Sequence, residues 1–402
     1  MTIRLLLIAP RADTEVDGGQ AKAGRLLADV LSETGEVTLK HVVQPSRLAS
    51  ADRMALRKRR LAFWREFIGT LGTFRPQLVH FFSPCTFTGV LEKAVLASIA
   101  KRRGARTILN LRNDPRVLID SLPRWKRAIT NRAIRVFDAY FCQYRDLEDF
   151  YVETIGADRQ AIHVIHNAIS GSTAYPSSDE LKSRFSAKRI VTVGTLEPRK
   201  GTDVLLRAIA KLSGPHGTSP AGDIIGGDFE SHFVDYAETV RALHKELGLV
   251  DRVVFHGRQW GEAKDAILDR ATVFALPSHA EGFPNVVMEA MQRGLPVIMT
   301  DVGAARDIAE VGGRAVTLVP ANDPTAMAEA IKLLLDEIET YRAAVADIDK
   351  AIAAFSPARM AQATTHAYKL ELTGATTRKG QAPGRSREKL TDGRGIGRDR
   401  RT

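Results

Sequence analysis

The sequence predicts an α/β protein built from two doubly wound parallel-sheet halves facing a central cleft. Three observations carry this. Short apolar runs alternate with helical patterns from end to end, as parallel sheets covered on both faces require. The alternation begins twice, each time with a strand, a glycine-containing loop and a helix. The length of 402 residues exceeds what a single hydrophobic core ordinarily supports.

In chain order, the first series of strands is expected at Arg4–Pro10, Val37–Val43, Gln77–Phe82, Thr107–Leu111, Ala139–Cys142 and His163–His166. The second is expected at Arg189–Thr195, Asp223–Gly226, Arg252–Gly257, Thr272–Pro277, Pro296–Thr300 and Ala315–Val319. Each is a run rich in Val, Ile and Leu bounded by turn residues. This divides the chain into a first half at 1–169, a linker at 170–188 where Gly, Ser, Pro and charged residues cluster, and a second half at 189–354. Helices are expected at Pro324–Asp336, with proline at the first helical position, and in a segment near 355–372 that completes the first half. Residues 373–402 are expected to be a disordered basic tail, being rich in Gly and polar residues and nearly free of large apolar ones.

Bulk composition is that of a globular protein, 44% hydrophobic and 26% charged. No apolar run approaches the ~20 residues of a membrane span, and Arg4–Pro10 is too short for a signal-peptide core. Cys85 and Cys142 offer no disulfide framework or metal spacing, so a cytoplasmic location is expected. The tail holds nine basic residues against three acidic, more than half of the net +11. Such a tail favours anionic surfaces or simply aids solubility. There is no dinucleotide-binding Gly-x-Gly-x-x-Gly after a strand and no Gly-x-x-x-x-Gly-Lys-Ser/Thr. The basic stretches lack a nucleic-acid recognition motif or a regular aromatic platform, so no nucleic-acid partner is expected.

Two motifs carry chemistry. Glu281 and Glu289 stand eight apart in Glu281-Gly282-Phe283-Pro284-Asn285-Val286-Val287-Met288-Glu289. The first lies in a loop and the second in the following helix, so at about 1.5 Å rise per residue they can face one cleft roughly 10 Å apart. That is the reach of a sugar nucleotide, with a hexose at one end and a ribose at the other. The second motif is Gly194-Thr195-Leu196-Glu197-Pro198-Arg199-Lys200-Gly201. It sets two adjacent cations before a helix start near Thr202, where free N–H groups already favour anions. It reads as a diphosphate clamp that needs no metal.

With Ile165-His166-Asn167-Ala168 and Gly294-Leu295-Pro296-Val297 through Gly303, these motifs make the chain resemble the family 4 (group 1) retaining glycosyltransferases of the GT-B fold. The resemblance covers nearly everything up to about residue 372. It implies transfer of a hexosyl unit from a nucleotide-diphosphate sugar to a saccharide or lipid-linked acceptor, with retention, without a metal or other cofactor, in cell-envelope or exopolysaccharide synthesis. It implies donor binding by the second half and acceptor binding by the first. Carried over by position, Glu281, Arg199 and Lys200 are the catalytic candidates. Gly18, Gly19, Gly194, Thr195, Arg258, Gly282, Phe283, Asn285 and Glu289 are the donor-binding ones. The chain departs from the family at Thr195, where many members have Arg, at Asn167-Ala168, where Asn-Gly is usual, and at Asp307, where many have Glu. It also departs near Arg112 and Asn113, where many members supply a His. Arg112 and Asn113 are therefore the expected first-half contacts, and His80 is read as structural. A non-catalytic sugar-nucleotide binder is the alternative these departures leave open.

Two basic stretches, residues 47–66 and Arg124-Trp125-Lys126-Arg127 with Arg132 and Arg135, interleave cations with apolar side chains. A cationic helix with a Trp and Leu face can lie on anionic lipid. An anionic membrane surface is thus a candidate partner, with peripheral attachment at the inner face of the cytoplasmic membrane.

Overall fold

The structure is a computed structural model that describes residues 2–10, 19–45, 53–112, 114–169, 176–212, 219–227 and 234–378. Six strands form the first sheet: β1 (Ile3–Ala9), β2 (Val37–Val43), β3 (Leu78–Pro84), β4 (Arg106–Arg112), β5 (Ala139–Cys142) and β6 (Ile162–Val164). They are parallel throughout, in the order β2-β1-β3-β4-β5-β6. The helices of this half are α1 (Gly19–Glu33), α2 (Arg53–Phe74), α3 (Phe87–Arg102), α4 (Pro115–Ser121), α5 (Arg124–Ile134) and α6 (Leu147–Asp149), the last running into a π turn. Strand periodicity distributes β1 between two cores. Leu5 and Leu7 pack with Leu27, Leu31 and Tyr368, whereas Leu6 and Ile8 pack with Phe63, Phe67 and Val90. Both faces are buried, which is why the strand reads as an unbroken apolar run.

The second sheet contains β7 (Arg189–Val193), β8 (Ala221–Ile225), β9 (Val253–Gly257), β10 (Val273–Leu276), β11 (Val297–Thr300) and β12 (Val316–Val319). It is also parallel, in the order β12-β11-β10-β7-β8-β9. The strand order reverses between β7 and β10, and ligands in such folds lie beyond the carboxyl ends of the strands at that reversal. Its helices are α7 (Ser178–Ala187), α8 (Thr202–Lys211), α9 (Val234–Glu246), α10 (Gly261–Asp269), α11 (Asn285–Gln292), α12 (Ala305–Gly312), α13 (Pro324–Asp336) and α14 (Ile338–Ala354).

Three segments differ from expectation. The expected linker contains α7, started by a capping box between Ser177 and Glu180 and anchored by buried Arg184, which donates to the Arg293 carbonyl at 2.6 Å. The helix α14 separates α13 from the last helix, α15 (Pro357–Arg378). That last helix extends six residues into the expected tail, and residues 379–402 lie outside the described residues.

The helix α15 returns to the first half and packs along α1. Tyr368 is fully buried, stacks on Phe141 with centroids 5.6 Å apart, and meets His80 Nδ1 at 2.7 Å. Glu371 accepts from Arg106 and pairs with His163 at 3.0 Å. Burial opposes its ionisation, but these partners outweigh burial and hold its carboxyl below the usual range. The two halves also meet directly. Phe283 packs against Phe355 and His166, and Asp307 receives His166 Nε2 at 2.8 Å and the Arg145 N–H at 2.9 Å.

Candidate donor site

The loops leaving β7 and β10 are neighbours because the strands pair, Ile190 with Val273 and Val191 with Phe274. The β7 loop closes in a 3-10 turn, Pro198–Lys200, and ends at Gly201 with φ +63°. A Cβ on Gly201 would stand 2.1 Å from the Pro277 carbonyl oxygen, so only glycine permits this approach. The Arg199 carbonyl accepts from the His279 N–H at 2.8 Å and joins the two loops.

This contact brings the two motifs together. Lys200 Nζ lies 2.6 Å from Glu281 Oε1, and Arg199 reaches Glu281 Oε2 at 3.4 Å. Ser278 donates to Glu281 Oε1 at 2.7 Å. The Glu281 side chain is 8% exposed and Arg199 44%, so the carboxylate is sheltered and one cation remains open to solvent. Arg199 also donates to the Ala280 carbonyl at 2.9 Å and to Glu197 at 2.6 Å. Thr195 Oγ1 donates to the same Glu197 oxygen at 3.1 Å. The Lys200 stem passes over Gly194, where a Cβ would stand 3.3 Å from it.

Glu289, on α11, pairs with Lys264 of α10 at 2.5 Å. The helix α11 begins at Asn285 without a side-chain cap, leaving first-turn N–H groups for an anion. The loop before it is held by Gly303, with φ +59°, whose Cβ would stand 2.3 Å from the Glu281 carbonyl oxygen and 2.6 Å from that of Gly282. The Gly282 carbonyl also accepts from the Ala304 N–H at 3.0 Å.

The Phe283 side chain is buried and faces the other half, so it anchors the loop while its N–H belongs to the loop backbone. Arg258 follows Gly257 with its stem against Gly227. Gly19 opens α1, whereas Gly18 and Asn113 lie outside the described residues. Arg112 is 5% exposed. Its guanidinium lies over the Phe82 ring at 5.0 Å and donates to Asn167 Oδ1 at 3.1 Å, and burial pushes its pKa down to about 10. His80 is fully buried, and burial with the Arg112 charge lowers it to about 3. It lines a small cavity (≈ 20 Å³) with Arg112, Asn110 and Thr364, room for about one water. Among the described residues no three His, Cys, Asp or Glu side chains cluster closely enough to hold a metal.

Sequence reasoning did not find Lys264, Ser278, Glu197 or Asn167 as site residues. Glu197 lies within the second motif and Ser278 just before the first, so both could have been found from their proximity. Lys264 carries no motif, and only the fold places it beside Glu289.

Residues 187–337 match the model of a family described as glycosyl transferases group 1. Over these residues the chain is similar to the group 1 glycosyl transferases. Curated relatives include the D-inositol 3-phosphate glycosyltransferases of Corynebacterium jeikeium, 32% identical over 195 residues (46% of this chain and 46% of the relative), and Mycolicibacterium smegmatis, 32% identical over 185 residues (45% and 41%). The matches span about half the length of these relatives. Among solved structures, sucrose-phosphate synthase from Thermosynechococcus elongatus superposes with a TM-score of 0.71 at 20% identity, covering 93% of this chain and 100% of that one. HepE of Anabaena in complex with UDP-glucose gives 0.62 at 16%, covering 94% and 100%. The matched residues therefore lie in one half of a GT-B fold of two parallel-sheet α/β domains.

Proposed function

We propose that the protein is a retaining glycosyltransferase. It moves a hexosyl unit from a nucleotide-diphosphate sugar to a saccharide or lipid-linked acceptor without a metal in the site. The observation that carries this is the convergence of Arg199, Lys200 and Glu281 where the second sheet reverses its order. Two fixed cations beside a helix start supply what a departing diphosphate needs. Preorganised charge of this kind is usually the largest catalytic contribution. Glu281 takes the hexose hydroxyls, exchanging its internal partners for them, and Glu289 takes the ribose. Backbone N–H groups of Gly282, Phe283 and Asn285 face sugar and phosphate. Gly194 and Thr195 line the phosphate end, Arg258 the base end, and Gly19 at the start of α1 the first-half rim.

The first half, completed by α15, takes the acceptor, and attack from the face that the diphosphate leaves accounts for retention. HepE, which its crystal structure describes in complex with UDP-glucose, supports a nucleotide-sugar donor here, and we read the role as envelope or exopolysaccharide synthesis in the cytoplasm. A thermal-shift panel of UDP-, GDP- and ADP-sugars, with nucleoside diphosphate release measured on each hit, tests the reading. Protection with release supports it. Protection without release makes the protein a non-catalytic binder, and no protection removes the donor site.

The acceptor half is also read as meeting an anionic membrane surface. Met54, Leu61 and Ile68 are exposed, at 61%, 54% and 40%, and recur every seven residues on one side of α2 among exposed Arg57, Lys58 and Arg65. On α4 and α5, Val117 and Trp125 are exposed at 57% and 60%. No described helix is long and apolar enough to cross a membrane. Flotation with anionic but not neutral liposomes is expected, and absence of binding at low salt would remove this part of the reading.

A further inference from the structure

A chain of polar side chains, buried up to its last member, crosses from the first half to the start of α11, between Glu281 and Glu289. It begins at Arg112, the last residue of β4. The guanidinium is held flat over Phe82 and donates to Asn167 Oδ1 at 3.1 Å. Gln143, with its amide oxygen turned to the guanidinium, accepts from Arg112 at 2.8 Å. Asn167 stands just beyond β6 and is 7% exposed. Its oxygen is taken by Arg112, so its NH2 group faces the other way, and Nδ2 donates to Asn285 Oδ1 at 3.1 Å. Asn285 is the first residue of α11. The end of β4, the segment after β6 and the start of α11 are thus joined by directional bonds, in which Arg112, Gln143 and Asn167 are buried and Asn285 is half-buried.

We infer that Asn167 is a positioning residue, aimed by Arg112, that sets the start of α11 against the first half of the molecule. This rests on the donor-site reading above. The nucleotide is held by the second half, whereas transfer requires sugar and acceptor to meet across the cleft. The bridge therefore governs turnover more than donor affinity. A misplacement of about 1 Å at a reacting centre can cost ~100-fold in rate, and one loosened hydrogen bond less than that. Arg112 acts through Asn167 and does not itself need to touch the donor.

The test is a double-mutant cycle on the full chain: wild type, Asn167→Ala, Asn285→Ala and the double variant. Substituting Asn285 removes only its side chain and leaves its backbone N–H in place. Each single change is expected to lower kcat for nucleoside diphosphate release about 5–10-fold, as loss of one hydrogen bond predicts. Donor KM should stay within about 2-fold. The double variant should be no worse than the poorer single. Losses that multiply would overturn the inference. If no nucleotide sugar turns over, the donor reading fails, and the bridge is then judged by the same cycle in thermal midpoints. There, non-additive shifts support it and additive shifts reject it.

Discussion

Replacing Gly303 by alanine should displace the loop that carries Glu281. The residue sits at φ +59°, and its added Cβ would lie 2.3 Å and 2.6 Å from two carbonyl oxygens of that loop. Ordinary contact begins near 3.4 Å, so the Glu281 carbonyl must retreat by about 1 Å. Both obstructing atoms are backbone, and the Gly282 carbonyl is already bonded to Ala304, so neither yields cheaply. The left-handed conformation alone costs an L-residue about 1–2 kcal/mol, and the clash should bring the loss to about 3 kcal/mol or more. A shift of that size at Glu281 should reduce kcat/KM about 100-fold. Gly35 provides the control, having φ +66° with nothing within 4 Å of its Cβ. Gly35→Ala should therefore cost about 1–2 kcal/mol and leave turnover unchanged. Denaturant unfolding and donor turnover of both variants decide the matter. If Gly303→Ala loses no more stability than Gly35→Ala and retains turnover within about 3-fold, the argument that this glycine shapes the donor loop is wrong.

Lys200→Met should lower kcat about 100- to 1000-fold, the usual consequence of deleting a charge that meets a leaving group, measured at saturating donor. Lys264→Met should raise donor KM several-fold with kcat within about 2-fold, because it releases the ribose-side carboxylate of Glu289 from its 2.5 Å partner. A kcat effect alone would contradict that placement. His80 should make stability fall with acid. Its pKa is lowered to about 3 in the folded protein, so between pH 6.5 and about 3 the unfolded chain binds the proton first. The loss between pH 7 and pH 5 is about 2 kcal/mol from this group. Denaturant titrations of wild type and His80→Gln should show the gap between them narrowing by that amount at pH 5, and a constant gap would refute the assignment.

Much of this was legible in the sequence because buried parallel strands are continuous apolar runs. Leu5–Ile8 and Val273–Leu276 have no polar face to blur them. The clustering of Lys200 with Glu281 was also foreshadowed, since each motif follows a strand and strands of one sheet end at one edge. The helix α7 was hidden because its flanks are Ser and Pro and its sequence, Ser178–Ala187, is mostly polar. Its place is set by Arg184 on the Arg293 carbonyl, a contact 109 residues distant. The helix α14 lay between two recognisable helices with no strong break, and only Glu337 marks its start. Arg112 is expected from its strand to face the cleft. That it turns inward to Asn167 depends on Phe82 and Gln143, which no local pattern connects to it.

The central claim is that Arg199, Lys200 and Glu281 act on a nucleotide-sugar donor. The most direct measurement is nucleoside diphosphate release from a panel of UDP-, GDP- and ADP-sugars, comparing wild type with Glu281→Gln and Lys200→Met. Release by the wild type from at least one donor, reduced at least about 100-fold in both variants, is the predicted result. Release that survives either substitution would contradict the account.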